Sequence, residues 1–135
     1  MREIKFRAWN ETHGKMQDIL ELNWLYNEDT DSRTDLWIIT ENARCDDKIT
    51  LMQYTGLKDK NGREIYEGDI IKVEHLDKPY SPKARHKYFN CEVVFYEGHF
   101  TYEWPKDYGN FRCGSFLERS EVIGNIYENK ELIND

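Results

Sequence analysis

The segment Lys78–Lys87, reading KPYSPKARHK, sets Lys78, Lys83, Arg85 and Lys87 among the rings of Tyr80 and His86, and Tyr88 follows directly. No acidic residue falls between Asp77 and Glu92. Basic side chains displace counterions from a phosphate backbone, and aromatic faces stack on unpaired bases. The segment is therefore a candidate contact for nucleic acid or for another partner, carried by Lys78, Tyr80, Lys83, Arg85, His86 and Lys87. The plainer alternative is a solvated loop whose charge offsets an acidic body, because charge runs are commonly just solvated faces.

Carboxylates crowd a second place. Glu64, Glu67 and Asp69 surround one turn and invite acid–base or metal chemistry. The fragment Asp59-x-Asn61-Gly62 invites a test against a calcium loop. If Asp59 and Asn61 are the third and fifth ligands, the first falls on Leu57 and the twelfth on Gly68, so the pattern fails. Asp69 reads better as a turn former bonded to nearby backbone. His13, His75, His86 and His99 show no zinc spacing, and the GLKDKNG stretch lacks the ending of a phosphate-binding loop. A Cys–His pair assembled in space, or acid–base work by Asp69 and His99, stays open as the enzymatic alternative. The expectation is a non-enzymatic protein with no catalytic residue, cofactor or metal.

The elements that position these residues read as strands. Ile4, Phe6 and Ala8 alternate with Lys5 and Arg7, and Leu20, Leu22 and Trp24 alternate with Glu21 and Asn23, both with the period of two expected of strands. Leu36–Thr40 (LWIIT) is a third strand, and residues 49–56 a fourth that ends at Gly56. Asn61–Gly62 signals a tight hairpin of the type that needs positive φ at both central residues. Glu67-Gly68-Asp69 is a second turn, and Glu97–Gly98 closes a hairpin within Cys91–Trp104. Residues 78–90 read as a long loop, since Pro79 and Pro82 rule out a helix or central strand there. Ser120–Tyr127 is a last strand, and the acidic tail beyond it is expected to fray. Asn61, Gly62, Gly68, Asp69 and Gly98 are thus structural turn residues.

Composition agrees with this pattern. In 135 residues the chain carries 33% charged and 39% hydrophobic positions, too apolar for disorder, and a 14% aromatic share that favours strands. A net charge of −7 argues against the whole surface binding a polyanion, though not against a local basic patch. Three cysteines, widely spaced, suit reduced thiols rather than a redox pair. With no signal core and no apolar span, a cytoplasmic location away from membranes is expected.

Three stretches carry a resemblance: REIKFRAWN at the start, LMQYTGLKDKNGREIYEGDIIKV in the middle and EVIGNIYEN near the end. They resemble the YopX family of phage and prophage proteins, with Asn10 where that family usually has Asp and Lys130 where Pro is common. The resemblance implies an all-β protein with a small barrel of KOW or Tudor kind, encoded in a mobile element of a bacterial host. It transfers no catalytic residue. Short strands with tight turns also suit a closed or nearly closed sheet, which hides strand edges.

The architecture expected is all-β with little helix: an N-terminal strand lobe (residues 1–48) packed on a five-stranded barrel (49–128), then an acidic tail (129–135). The function expected is that of an accessory protein-interaction module, a homo-oligomer with an unidentified host or phage protein as partner. Trp9, Trp24, Trp37 and Trp104 exceed what one small barrel core holds. The plainer expectation is that they fill the seam between two lobes. The sharper one is that one or two lie on a self-association surface, since tryptophans concentrate at interface centres. The alternative is a nucleic-acid-binding barrel that uses residues 78–87, and a hydrolase ranks below both.

Overall fold

The computed structural model describes residues 2–28, 32–42, 44, 47–76, 80–104 and 117–133. Among the described residues nine strands follow one another: β1 Phe6–Asn10, β2 Lys15–Asn27, β3 Ser32–Thr40, β4 Ile49–Lys58, β5 Glu64–Tyr66, β6 Asp69–Leu76, β7 His86–Tyr96, β8 His99–Glu103 and β9 Glu121–Asn125. Helix is confined to short 3-10 turns at Leu117–Arg119 and Lys130–Leu132 among the described residues. The all-β expectation holds. No described helix is long and apolar enough to cross a membrane.

The chain divides into two compact units, residues 5–53 and residues 1–4 with 54–135, and the division falls within β4. In the first unit the strands lie in the order β3-β2-β1-β4, all antiparallel. The alternation read in the sequence reappears in the register: Leu22 stands opposite Ile38 and Trp24 opposite Leu36, while Asn23 stands opposite Trp37. Two bulges in the β2–β3 pairing, between Ile19 and Glu21 and between Leu25 and Tyr26, bound this regular stretch. Ala8 and Met52 are its fully buried apolar residues among those described.

In the second unit, the end of β4 pairs with β5, and a separate ladder runs β8-β7-β6-β9. Its core gathers Ile65, Ile71, Val73, Cys91, Val93, Tyr102, Leu117 and Val122, with Phe89, Phe100 and Trp104 packed against it. Trp104 meets Phe89 and Tyr102 with ring centroids 5.1 and 5.7 Å apart, in edge-to-face arrangements. So much aromatic area lets a small unit build a core from few positions.

The barrel does not close among the described residues. The expected closure needed β5 to hand on to β6 as a hairpin neighbour, and it does not. At the turn Glu67–Gly68, Asp69 Oδ2 accepts the Tyr66 N–H at 2.8 Å. Gly68 donates its N–H to Val93 and its carbonyl accepts from Ile126, so the chain leaves one ladder and enters another. The result is two open antiparallel sheets.

Further differences are local. The hairpin at Asn61–Gly62 exists, but only Gly62 has positive φ, so it is not the two-residue turn that the dipeptide signals. Residues Asp59–Arg63 form the loop instead, with Asp59 Oδ1 accepting the N–H groups of Asn61 and Arg63. The two-residue geometry occurs at Glu97–Gly98, where φ is 49° and 83°. The long loop after β6 is shorter than expected, because β7 already starts at His86. The tail is held rather than frayed as far as Ile133: Asn129 bonds to Asn125, and the Leu132 carbonyl accepts from Asn90 Nδ2 at 2.9 Å.

Candidate functional site

The basic segment is only partly a loop. Lys78 lies outside the described residues. Tyr80 is fully exposed, and Ser81–Ala84 form a turn in which the Ser81 hydroxyl accepts the Lys83 N–H. Lys83 and Arg85 are exposed in the turn and just after it, while His86 and Lys87 open β7, opposite Leu76 and His75. His86 pairs with Glu74, whose carboxylate also accepts the Tyr88 hydroxyl at 3.1 Å. These two partners hold Glu74 below the usual carboxylate range. Lys72 sits 5.0 Å from the centre of the Tyr88 ring. The strand face next to the segment is therefore mixed in charge. Tyr80, Lys83, Arg85 and Lys87 are exposed beside it.

The turn residues perform as structural elements. Asp59, almost fully buried, binds backbone on two sides: Asn61 and Arg63 at one oxygen, and Val122 N–H at the other, 2.9 Å away. Burial alone would raise its pKa, but these three donors and the Arg63 charge outweigh it and hold the carboxyl below its usual range. His99 lies 3.5 Å from the Glu97 carbonyl on an exposed hairpin. No group of three or more His, Cys, Asp or Glu among the described residues is placed to hold a metal.

The most distinctive surface lies on the β2–β3 hairpin. Cross-strand register puts Leu22, Trp24, Leu36 and Ile38 on one face, and Trp37 and Ile39 on the other. Trp24 is 63% exposed and Trp37 is 50% exposed, and Leu20 and Ile39 are exposed beside them. A sheet normally hides one face and wets the other with polar groups. Here both faces of the hairpin present large apolar side chains.

Beside it is a groove of about 300 Å3 lined by Leu36, Trp37, Ile38, Arg44, Asp47 and Ile49. A polar cluster braces its wall. Asp47 Oδ2 accepts the Arg44 N–H at 3.0 Å, Asn10 Nδ2 at 2.8 Å and pairs with His13 Nε2 at 3.2 Å. Its side chain is 2% exposed, whereas that of His13 is 43% exposed. The Arg44 N–H first, then Asn10, lower the Asp47 pKa against the opposing effect of burial. Buried Asn10 also donates to Gln17, which accepts from Thr40, and its Oδ1 accepts the His13 N–H. Lys48 clips the same segment to the first turn, through its N–H to Thr12 and its ammonium to Glu11.

The model of the family described as YopX protein matches residues 5–134. The chain belongs to the YopX family. Among solved structures it is similar to the crystal structure of protein EF1440 from Enterococcus faecalis, with 28% identity, a TM-score of 0.60, and 99% of this chain and 100% of that chain covered. It is also similar to the X-ray structure of protein yopX from Bacillus subtilis, with 25% identity, a TM-score of 0.52 and the same coverage. No curated protein matches it.

Within this YopX chain, Asn10 proves to be more than a turn residue. It is a buried donor to Asp47, a role that an aspartate could not fill while ionised. Sequence reading missed the cluster of Asn10, His13, Arg44 and Asp47 altogether. Residues 41–48 looked like a polar boundary, and only the fold brings them against the first turn. The available signal was an acid and a histidine in two separate polar stretches, which many unrelated loops share.

Proposed function

We propose that this YopX-family protein is a non-enzymatic accessory module, encoded in a phage or prophage, that works by binding protein. The observation that carries this reading is the β2–β3 hairpin, with Trp24 and Trp37 exposed on opposite faces. Exposed aromatics in an apolar setting mark interface centres, where a few large side chains supply most of the binding energy. The face of Leu22 and Trp24 serves a second copy of the chain, giving a homo-oligomer. A self-associating face must be complementary to itself, which the apolar side chains of Leu22, Trp24, Leu36 and Ile38 satisfy. The partner beyond the oligomer is a host or phage protein, met in the bacterial cytoplasm.

The titratable groups support the same reading. The two histidine–carboxylate pairs brace structure: His13–Asp47 holds a loop to a turn, and His86–Glu74 ties two strands. Cys91 is buried, which pushes its thiol up to about 12, far from a nucleophile's range.

A second reading is favoured by one feature, the fully exposed Tyr80 next to exposed Lys83, Arg85 and Lys87. These could stack on and neutralise a single strand. Affinity capture with the tagged protein, with and without nuclease, separates the two. A stoichiometric protein that survives nuclease, and is lost on Trp24→Ser with Trp37→Ser, supports the protein module. Material that vanishes with nuclease, and on Lys83→Ala with Arg85→Ala and Lys87→Ala, supports the second reading instead.

A further inference from the structure

Asn61 precedes Gly62, and no other asparagine in the chain is followed by glycine. Both residues are exposed in the Asp59–Arg63 loop. The Asn61 carboxamide has no hydrogen-bond partner among the described residues. An asparagine carboxamide carbon and the nitrogen of the next residue can close a five-membered ring. A side chain on that next residue hinders closure, and glycine has none. A methyl group built on Gly62 would meet no atom within 4 Å beyond its chain neighbours, so the space around it is open.

The backbone decides how fast such a ring closes. The Gly62 nitrogen must lose its proton to attack, and its N–H donates to the Asp59 carbonyl at 3.0 Å. Asp59 Oδ1 holds the Asn61 N–H at 2.8 Å and the Arg63 N–H at 2.9 Å, and the Asp59 N–H donates to the Arg63 carbonyl. One residue thus pins both sides of the peptide that must turn. Closure requires the loop to open locally, which in an exposed turn costs far less than unfolding the chain.

We propose that Asn61 is a site of spontaneous deamidation in the folded protein, with Asp59 setting its rate. The Gly62 nitrogen bonds to the carboxamide carbon of Asn61, the bond from that carbon to Nδ2 breaks, and ammonia leaves with the amide proton. Water then opens the succinimide at one carbonyl or the other, giving aspartate or isoaspartate at position 61. No electron is transferred, and water is the one co-reactant. Isoaspartate also routes the backbone through the side chain, one carbon longer, so the N–H groups of Gly62 and Arg63 no longer fall on Asp59. The same carboxylate holds the Val122 N–H, so conversion loosens the β4–β5 turn from β9. The tie weakens with the age of the molecule.

The test incubates the full chain and a synthetic peptide of residues 57–64 side by side at pH 8. Peptide mapping with electron-transfer fragmentation separates isoaspartate from aspartate. Asn61 in the chain should convert ahead of every other asparagine, with isoaspartate in excess. It should do so about tenfold more slowly than in the peptide, the effect of one hydrogen bond of ordinary strength. Both processes need the Gly62 N–H released, so the slowing should match the protection of that amide against hydrogen exchange. Asp59→Ala, checked for folding by circular dichroism, should convert at close to the peptide's rate. If that variant does not fold, the exchange comparison on the wild-type chain takes its place. An Asn61 that stays intact while the peptide converts, or another asparagine that converts first, would overturn the proposal. So would a folded Asp59→Ala that converts no faster, or a slowing unrelated to Gly62 protection.

Discussion

Asp59 and Val122 lie 63 positions apart, yet the Val122 N–H donates to Asp59 Oδ2 at 2.9 Å. The other oxygen of the same carboxylate holds the turn at Asn61 and Arg63, and the Arg63 guanidinium reaches the Val122 carbonyl. One side chain thus ties the β4–β5 turn to β9. Asp59→Ala strands three backbone donors and should cost about 3 kcal/mol, measured by urea unfolding at pH 7. Because its folded pKa is depressed, its contribution is complete above the unfolded value of about 3.9 and is lost as pH falls through the lower folded value. Asp59→Asn should accordingly flatten the acid limb of the stability–pH curve.

Positive φ has opposite consequences at Gly68 and at Glu97. Gly68 stands at 80° with its N–H and carbonyl both bonded. Gly68→Val forces a β-branched residue into that conformation and should lower stability by about 2–3 kcal/mol in thermal unfolding. Glu97, at 49°, is the one described non-glycine residue in the left-handed region. Glu97→Asn should raise stability by about 0.5 kcal/mol, because asparagine tolerates this backbone better.

Asn10→Asp should destabilise the first unit at neutral pH. The change removes the amide donor to Asp47 and sets two carboxylates 2.8 Å apart. Adding Asp47→Asn should restore much of the loss, and lowering the pH should shrink it. Denaturation midpoints of the two single variants and the double variant check this. A loss that the second change does not relieve would show that Asn10 acts through Gln17 alone.

Cys91 should resist alkylation in the native protein at pH 8. Its burial, with the thiol pushed up to about 12, leaves negligible thiolate there. Peptide mapping by mass spectrometry after brief treatment with iodoacetamide reports Cys91 specifically, and labelling should appear only with denaturant.

The strands were legible wherever apolar and polar side chains alternate. Phe6 and Ala8 against Lys5 and Arg7 gave β1, and Leu22 and Trp24 against Glu21 and Asn23 gave β2, although Trp24 is exposed. The turn at Glu97–Gly98 was legible from its glycine. Asn61–Gly62 misled because Asp59, two residues earlier, captures the backbone and imposes a longer loop. Barrel closure misled because short strands look alike whether β6 pairs with β5 or with β9, and bonds far along the chain at Val93 and Ile126 decide it. The cluster around Asp47 was not legible at all. Its residues come from two polar segments with no periodicity, and only strand pairing brings them together.

The central claim is that the β2–β3 hairpin is a protein contact surface, and sedimentation equilibrium of the full chain tests it most directly. The chain of 16.3 kDa should sediment as an oligomer at micromolar concentration. Trp24→Lys should sediment as a folded monomer with an unchanged far-ultraviolet circular dichroism spectrum. A wild-type protein that stays monomeric throughout, or a Trp24→Lys variant that associates as before, would contradict the account.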